Sequence, residues 1–282
     1  MKLIADSGST KTHWVVLNNN EVVLEHHTQG INPYYQNTEA IETLLRAELI
    51  PALSPNICSA LKQIFYYGAG CSSPSLCTIV ENSLRSLIDN ADITVNHDLL
   101  AAARAGCGNQ KGIAIILGTG SNSCLYNGTD IIANQPSLGF MLGDEGSGGY
   151  IGKQLLIHYL YRELPTDLAE AFSNTYQLNK ENILEHIYQK PMPNRFAASF
   201  TPFISKHLAH PYLQQLVSDA FDAFFKHHVS SYNQYQQYPL AAIGSIATVF
   251  EKQLRTTAKR YGVNISQIIK EPIQGLIQFH TL

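Results

Sequence analysis

Asp6-Ser7-Gly8-Ser9-Thr10-Lys11-Thr12 and Leu117-Gly118-Thr119-Gly120-Ser121-Asn122-Ser123 are the two stretches on which the fold turns. Each leaves a short apolar run, residues 2–5 in one case and 113–117 in the other, and each then turns on glycine and hydroxyl residues into a second strand-like run. They stand about 110 residues apart. Around the first, strand patterns at 2–5, 13–17 and 21–26, with Asn18-Asn19-Asn20 as the hairpin turn, predict an antiparallel meander. Around the second, patterns at 113–117, 123–126 and 130–133, with Asn127-Gly128 as a turn, predict the same meander again. Internal duplication is the main organisational signal.

Outward from the first meander, Ile41, Leu44, Leu45 and Leu49 predict a helix over 39–53 that Pro51 begins to end. A strand at 64–67 runs into Gly68-Ala69-Gly70, and a helix follows over 74–88. A strand at 93–95 ends at Asn96-His97-Asp98, before a helix over 99–105 and a break at 106–109. Beyond the second meander, 145–238 is mostly helical in pattern, interrupted at Pro165, Pro191-Met192-Pro193 and Pro211. Tyr232, Tyr235 and Tyr238 fall at helical spacing and predict a helix face. A strand at 240–243, a Gly244-Ser245 turn, a helix over 247–261, a short strand from 268 and a helix start at Pro272 complete the chain. The class is α/β with mixed sheets.

The length of 282 residues favours two domains. Nineteen Lys plus Arg against 22 Asp plus Glu, with 45% apolar and 15% charged residues, excludes a disordered chain and a basic nucleic-acid binder. No apolar stretch reaches the length of a membrane span, so the expectation is a soluble cytoplasmic protein. Five scattered cysteines, with no C-x-x-C pair, fit a reducing compartment, and neither they nor the His26-His27 and His227-His228 pairs suggest structural zinc.

Three glycine turns follow apolar strands: Gly8, then Gly118 with Gly120, then Gly244. Such turns bring backbone N–H groups against an anion, although a single one is commonly plain hairpin punctuation. The first two run into strands rather than helices, which removes the P-loop and dinucleotide-fingerprint readings. The set resembles the actin, heat-shock chaperone and sugar-kinase superfamily. D-S-G-S-T-K-T, N-H-D-L-L-A-A-A, L-G-T-G-S-N-S, M-L-G-D-E-G-S-G-G-Y-I-G and P-I-Q-G-L narrow the resemblance to the N-acetylglucosamine kinase group, also called the BadF/BadG ATPase-like family. It spans 6–275, and M-L-G-D-E-G-S at 141–147 is its most specific piece.

The resemblance implies two duplicated ribonuclease H-like domains of the actin and hexokinase type with a cleft between them. The expected division is 1–108 and 109–268, the second with a helical insertion, and a tail at 269–282 packing back onto the first. It implies ATP and Mg²⁺, an amino-sugar substrate phosphorylated on its 6-hydroxyl, no nucleic acid, no membrane and a homodimer. Ser9, Thr10 and Lys11, then Gly118, Thr119 and Gly120, become the phosphate turns, with Lys11 open to a plain exposed-face role. Gly244, Ser245 and Thr248 become the nucleoside turn. Asp6 is read either as the Mg²⁺ carboxylate, directly or through water, or as a turn cap. Asp98 becomes the general base, with an N-cap for the following helix as the alternative. His97 beside it is read as a packed or solvent-facing neighbour. Asn32, Ser121, Asn122 and Asp144 become the sugar contacts, Asn32 also being readable as a turn residue. Asp144 and Glu145 are read, in addition, as lying at a helix N-terminus.

Two departures stand at the sugar end. Ser137-Leu138-Gly139 occupies the place of a Gly-Trp-Gly run in animal members, and Pro33-Tyr34-Tyr35 follows Asn32. The zinc signature of the repressor-type kinases is absent. Two other classes compete: a nucleotide-driven ATPase of the dehydratase-activator type, for which Cys71 and Cys77 are the nearest cysteine pair, and a non-catalytic sugar sensor. Neither draws support from the residues around those positions.

Overall fold

The first hairpin forms because Leu3, Ile4 and Ala5 face Trp14, Val15 and Val16 across it, all fully buried. In this computed structural model, which describes residues 1–8 and 10–281, β1 (Lys2–Ser7), β2 (Lys11–Asn18) and β3 (Glu21–Gln29) make an antiparallel meander. Asn19 and Asn20 supply the positive φ of its second turn, 48° and 70°. After α1 (Thr38–Glu48) and α2 (Pro55–Ala60), β4 (Gln63–Gly68) adds parallel to β1. After α3 (Pro74–Arg85), β5 (Asp92–His97) adds parallel to β4 and leads into α4 (Asp98–Cys107). The sheet order is β3-β2-β1-β4-β5.

Both faces of this sheet are covered. Leu3, Ala5, Trp14, Val16, Ile64 and Tyr66 pack with Ile41 and Leu45 of α1 and Val80 and Leu84 of α3. Ile4, Val15, Leu17 and Tyr67 pack with Ala101 of α4 on the other side. Strands buried on two faces read as near-continuous apolar runs, which is why β1 and β2 stand out in the sequence.

The second sheet repeats the plan. β6 (Gly112–Leu117), β7 (Ser121–Tyr126) and β8 (Ile131–Asn134) form the meander, and β9 (Leu240–Ile243) and β10 (Ile265–Ile269) extend it in parallel, in the order β8-β7-β6-β9-β10. Between β8 and β9 lie α5 (Gly139–Leu142), α6 (Gly148–Leu160), α7 (Thr166–Tyr176), α8 (Lys180–Tyr188), α9 (Pro193–Ala198), α10 (Thr201–Lys206) and α11 (Pro211–His227). Between β9 and β10 lie α12 (Ser245–Val249) and α13 (Glu251–Arg260). Phe172, Phe200, Phe203, Phe221, Phe224 and Phe225 fill the core of this helical region.

The last helix, α14 (Ile273–Thr281), belongs to the first unit, so the chain divides into 1–109 with 272–282, and 110–271. Ile273 and Leu276 join the α4 face of the first sheet. Gly275 lies so close to α4 that a Cβ there would stand 2.6 Å from the Ala105 carbonyl oxygen. His280 stacks on Phe65 at 4.0 Å, its Nε2 meets the Tyr67 hydroxyl at 2.9 Å, and its carbonyl accepts from Lys2 Nζ at 2.6 Å. Arg104 donates to the same Tyr67 oxygen at 2.7 Å, so Tyr67 gives its own proton to His280.

Three expectations change. The helix over 39–53 stops at Glu48, and Ser54 caps the separate α2. The helix over 247–261 breaks at Phe250. Tyr232, Tyr235 and Tyr238 are no α-helical face: two short 3₁₀ turns, Val229–Ser231 and Tyr235–Gln237, carry the chain to Pro239, and three-residue spacing suits that tighter winding equally well.

Candidate functional site

In the first unit the turn after β1 is closed by the Gly8 N–H on the Lys11 carbonyl at 3.0 Å, and Ser7 Oγ meets Thr12 Oγ1 across it at 2.7 Å. Thr10 and Lys11 are exposed beside this turn; Ser9 lies outside the described residues. Strand register lines up His27, His13, Asp6, Tyr67 and Asn96 as one polar row at the end of the sheet. His13 Nε2 meets Glu25 at 2.6 Å.

Because β1, β4 and β5 run parallel, their carboxyl ends coincide, and this brings Asp6 and Asp98 to the same end of the sheet. Both carboxylates bear on the phenol of Tyr66, which burial above all, and then the Cys71, Asp6 and Asp98 charges, hold well above its ordinary value. Asp98 is the first residue of α4, but it does not cap it. The cap is His97, whose Nδ1 lies 2.9 Å from the Leu99 N–H. The same Nδ1 stands 2.7 Å from Asp98 Oδ1. Burial pulls His97 down, but its hydrogen bond with Asp98 and the Asp98 charge more than offset this, and the net shift is upward. His97 is thus a half-buried neighbour packed against Asp98.

Asn32 Oδ1 accepts from the Tyr34 N–H at 3.0 Å, and its backbone oxygen accepts from Tyr35 and Gln36. A turn role for this side chain is thus present. Gly70, at φ +83°, passes directly against that side chain, where any Cβ would collide with Asn32 Oδ1.

In the second unit α6 fixes the β6–β7 turn. Gly148 and Gly149 donate to the Gly118 and Thr119 carbonyls at 2.8 and 3.0 Å, spending two of the N–H groups that a helix start leaves unpaired. A Cβ on Gly149 would lie 2.8 Å from the Thr119 oxygen, so only glycine lets the helix come this close. Thr119 is exposed.

Asp144 precedes this helix rather than starting it: Ser147 is the N-cap, accepting from the Tyr150 N–H at 3.0 Å. Asp144 has φ +57° and is buried, its Oδ1 accepting from the Ser121 N–H at 3.3 Å and the Ser137 hydroxyl at 3.4 Å. Burial raises its carboxyl despite these two donors. Gly120 sits under it, where a Cβ would stand 3.1 Å from Asp144 Oδ2. Ser121 Oγ is buried with no hydrogen-bond partner among the described residues. Asn122 Oδ1 accepts from the Ser123 N–H and from Asn134 Nδ2 at 2.9 and 3.0 Å.

Gly244 has φ +122°, and a Cβ there would collide with the Leu117 carbonyl, which seats this turn beside the end of β6. Ser245 opens the five-residue α12, and Thr248 Oγ1 bonds back to the Gly244 carbonyl at 3.1 Å.

Lys153, which the sequence did not single out, and Glu145 join Asp144. Lys153 Nζ donates to the Phe140 carbonyl at 2.8 Å; burial lowers its pKa while Asp144 and Glu145 oppose the shift. Glu145 lies 3.6 Å from the buried His228. Nothing in the sequence marks Lys153, since its link to 140 and 144 exists only once α6 is folded. Cys71 is buried, which pushes its thiol to about 12, and Cys77 Sγ sits 3.5 Å from the Cys71 carbonyl, so this pair packs the core. Among the described residues no helix is long and apolar enough to cross a membrane.

No protein-family model matches the chain. A solved structure of a candidate N-acetylglucosamine kinase from Porphyromonas gingivalis is 42% identical, superposes with a TM-score of 0.95, and is covered over 99% of its length by 100% of this chain. An N-acetylmuramic acid/N-acetylglucosamine kinase of Clostridium acetobutylicum is 28% identical over 71% of this chain and 68% of its own. An N-acetyl-D-glucosamine kinase of Dictyostelium discoideum is 26% identical over 64% of this chain and 61% of its own. With paired five-stranded sheets, carboxylates at the ends of parallel strands and 42% identity along its whole length, the chain belongs to the N-acetylglucosamine kinase family and is a phosphotransferase.

Proposed function

We propose that the protein transfers the γ-phosphoryl group of ATP to the 6-hydroxyl of N-acetylglucosamine or a related amino sugar, with Asp98 as general base. The observation that carries this reading is the pairing of Asp6 and Asp98 at the carboxyl ends of parallel strands, where ligands of open α/β sheets bind. Asp98 is positioned for the acceptor because His97 has taken over the helix cap. Its carboxylate takes the hydroxyl proton as the new O–P bond forms, and the bond to the leaving ADP oxygen breaks. The turns at Gly8–Lys11 and Gly118–Gly120 present backbone N–H groups and hydroxyls to phosphate. Gly244, Ser245 and Thr248 lie along the nucleoside.

Asp144, Ser121, Asn122 and Asn32 orient the sugar. The buried Ser121 hydroxyl without a partner is what an added ring hydroxyl would satisfy. Asp6, a carboxylate near the end of β1 beside the Gly8 turn, suits Mg²⁺, which commonly takes one or two carboxylates and completes its shell with phosphates and water. When bound it would offset phosphate charge. Asp6 would hold it, directly or through water.

A coupled ATPase assay over glucose, glucosamine, N-acetylglucosamine, N-acetylmannosamine and N-acetylmuramic acid tests the acceptor. Turnover is expected only with an amino or N-acetylated hexose, and phosphorus-coupled NMR of the product should show a 6-phosphate. Asp98→Asn should lower transfer by roughly 1,000-fold with nucleotide binding kept. ATP turnover that ignores every hexose would defeat the assignment. Sedimentation would test the homodimer implied by the family resemblance.

A further inference from the structure

We propose that His97 is a positioning residue for the phosphoryl-transfer base, forming with Asp98 an imidazole–carboxylate dyad that shares one proton and holds Asp98 Oδ1 so that Oδ2 is left for the sugar hydroxyl. This rests on the reading of Asp98 as the base. His97 Nδ1 stands 2.7 Å from Asp98 Oδ1, a separation at which two lone pairs repel and a shared proton relieves the contact. Asp98 Oδ1 is sealed from solvent and has no well-aligned hydrogen-bond partner among the described residues. An ionised oxygen in that position is costly unless a donor reaches it, and His97 is the group in place to do so.

The Leu99 N–H points at the same Nδ1 from 2.9 Å. Two arrangements result. With the proton on Nδ1, the imidazolium donates to the carboxylate and the Leu99 N–H loses its acceptor. With the proton on Oδ1, Nδ1 accepts from both Asp98 and the cap N–H. The upward displacement of His97 described above favours the first arrangement. The other titratable groups that act here are Tyr66 on β4 and Cys71 just beyond it, both raised chiefly by burial and so uncharged at neutral pH, and Asp6 on β1, which acts on Tyr66. In the reaction the hydroxyl proton passes to Oδ2 while the shared proton stays on His97 Nδ1, and water takes up the extra proton once product has left.

Two substitutions separate this role from simple capping. Serine is a good N-cap but too short to reach Asp98, whereas asparagine supplies both a cap acceptor and an amide donor. His97→Ser should lower kcat by ~10–100-fold with little change in KM for ATP, and should move the acid limb of kcat/KM up by about one pH unit. His97→Asn should recover most of both. Wild-type kcat and an unmoved acid limb in His97→Ser would overturn the dyad. Should that variant fold poorly, ¹⁵N NMR of the wild-type imidazole decides: a proton bound at His97 Nδ1 at neutral pH that is lost in Asp98→Asn supports the proposal, and an Nδ1 without one overturns it. Full activity in Asp98→Asn would instead defeat the base assignment itself, whatever the His97 variants do.

Discussion

Asp144 is held in left-handed backbone, buried, and supplied with only two long hydrogen bonds. Its carboxyl is raised, so the folded state binds a proton more readily than the unfolded one. Stability is thus lost as pH rises from the ordinary value of 3.8, and the loss persists at neutral pH, where the proposed role as sugar acceptor calls for the ionised group. Asp144→Asn keeps an acceptor for Ser121 and Ser137 and removes the charge. It should raise the melting temperature of the ligand-free protein by about 2 °C while lowering kcat/KM for the hexose by at least ~10-fold. A variant that is both less stable and fully active would contradict this account. Gly120→Ala tests the same carboxylate from below. Its methyl would crowd Asp144 Oδ2, so the hexose KM should rise several-fold, read in initial-rate assays.

At the scale of elements, α14 is fastened by a neutral histidine. Burial, followed by the Arg104 and Lys2 charges, lowers His280 from 6.5 to about 4. The unfolded chain takes up a proton near 6.5 that the folded chain refuses until about 4, so the stability His280 contributes is intact above 6.5 and is lost as pH falls toward 4. His280→Phe, which keeps the stack on Phe65, should lose less stability than wild type across that window; melting curves between pH 7.5 and 4.5 provide the comparison. A gap between the two proteins that does not change with pH would contradict it. Gly152 sets another close approach, because a Cβ there would collide with the Ala197 carbonyl of α9. Gly152→Ala should cost ~1–3 kcal/mol in denaturant unfolding and loosen the β6–β7 turn that α6 holds.

These elements also show what the sequence could disclose. β1, β2, β6 and β9 were legible because doubly covered strands are apolar runs bounded by glycine or asparagine. The helical region between β8 and β9 was legible only as helical. Pro193, Pro202 and Pro211, which interrupt the apolar pattern, occupy first-turn positions where proline is welcome. Asp6, Asp98, Gly118 and Asp144 drew notice through motif and strand-end position. His97 was noted only as a neighbour of Asp98, since whether a residue between strand and helix turns back onto its neighbour's carboxylate depends on a rotamer that no pattern of residue types encodes.

At the scale of the whole molecule the two sheets have one topology, so α14 after β10 corresponds to α4 after β5. Yet both helices cover the first sheet. The second unit is a single continuous segment, and the first is made of two. Residues 110–271 expressed alone should therefore unfold cooperatively, whereas 1–109 alone should gain a sharp transition only when a peptide of 272–282 is supplied. Circular dichroism melts of the two pieces check this, and a cooperative 1–109 would show that α14 is dispensable.

The anchoring of α14 has one more consequence. Lys2 Nζ on the His280 carbonyl, with Asn20 Nδ2 3.4 Å from that of Thr281, sets the beginning and the end of the chain side by side. A short glycine-rich bridge would close the polypeptide into a ring, and reopening it at the exposed Lys190-Pro191 bond would yield a circular permutant whose new ends lie far along the sequence from every residue assigned to phosphate or sugar.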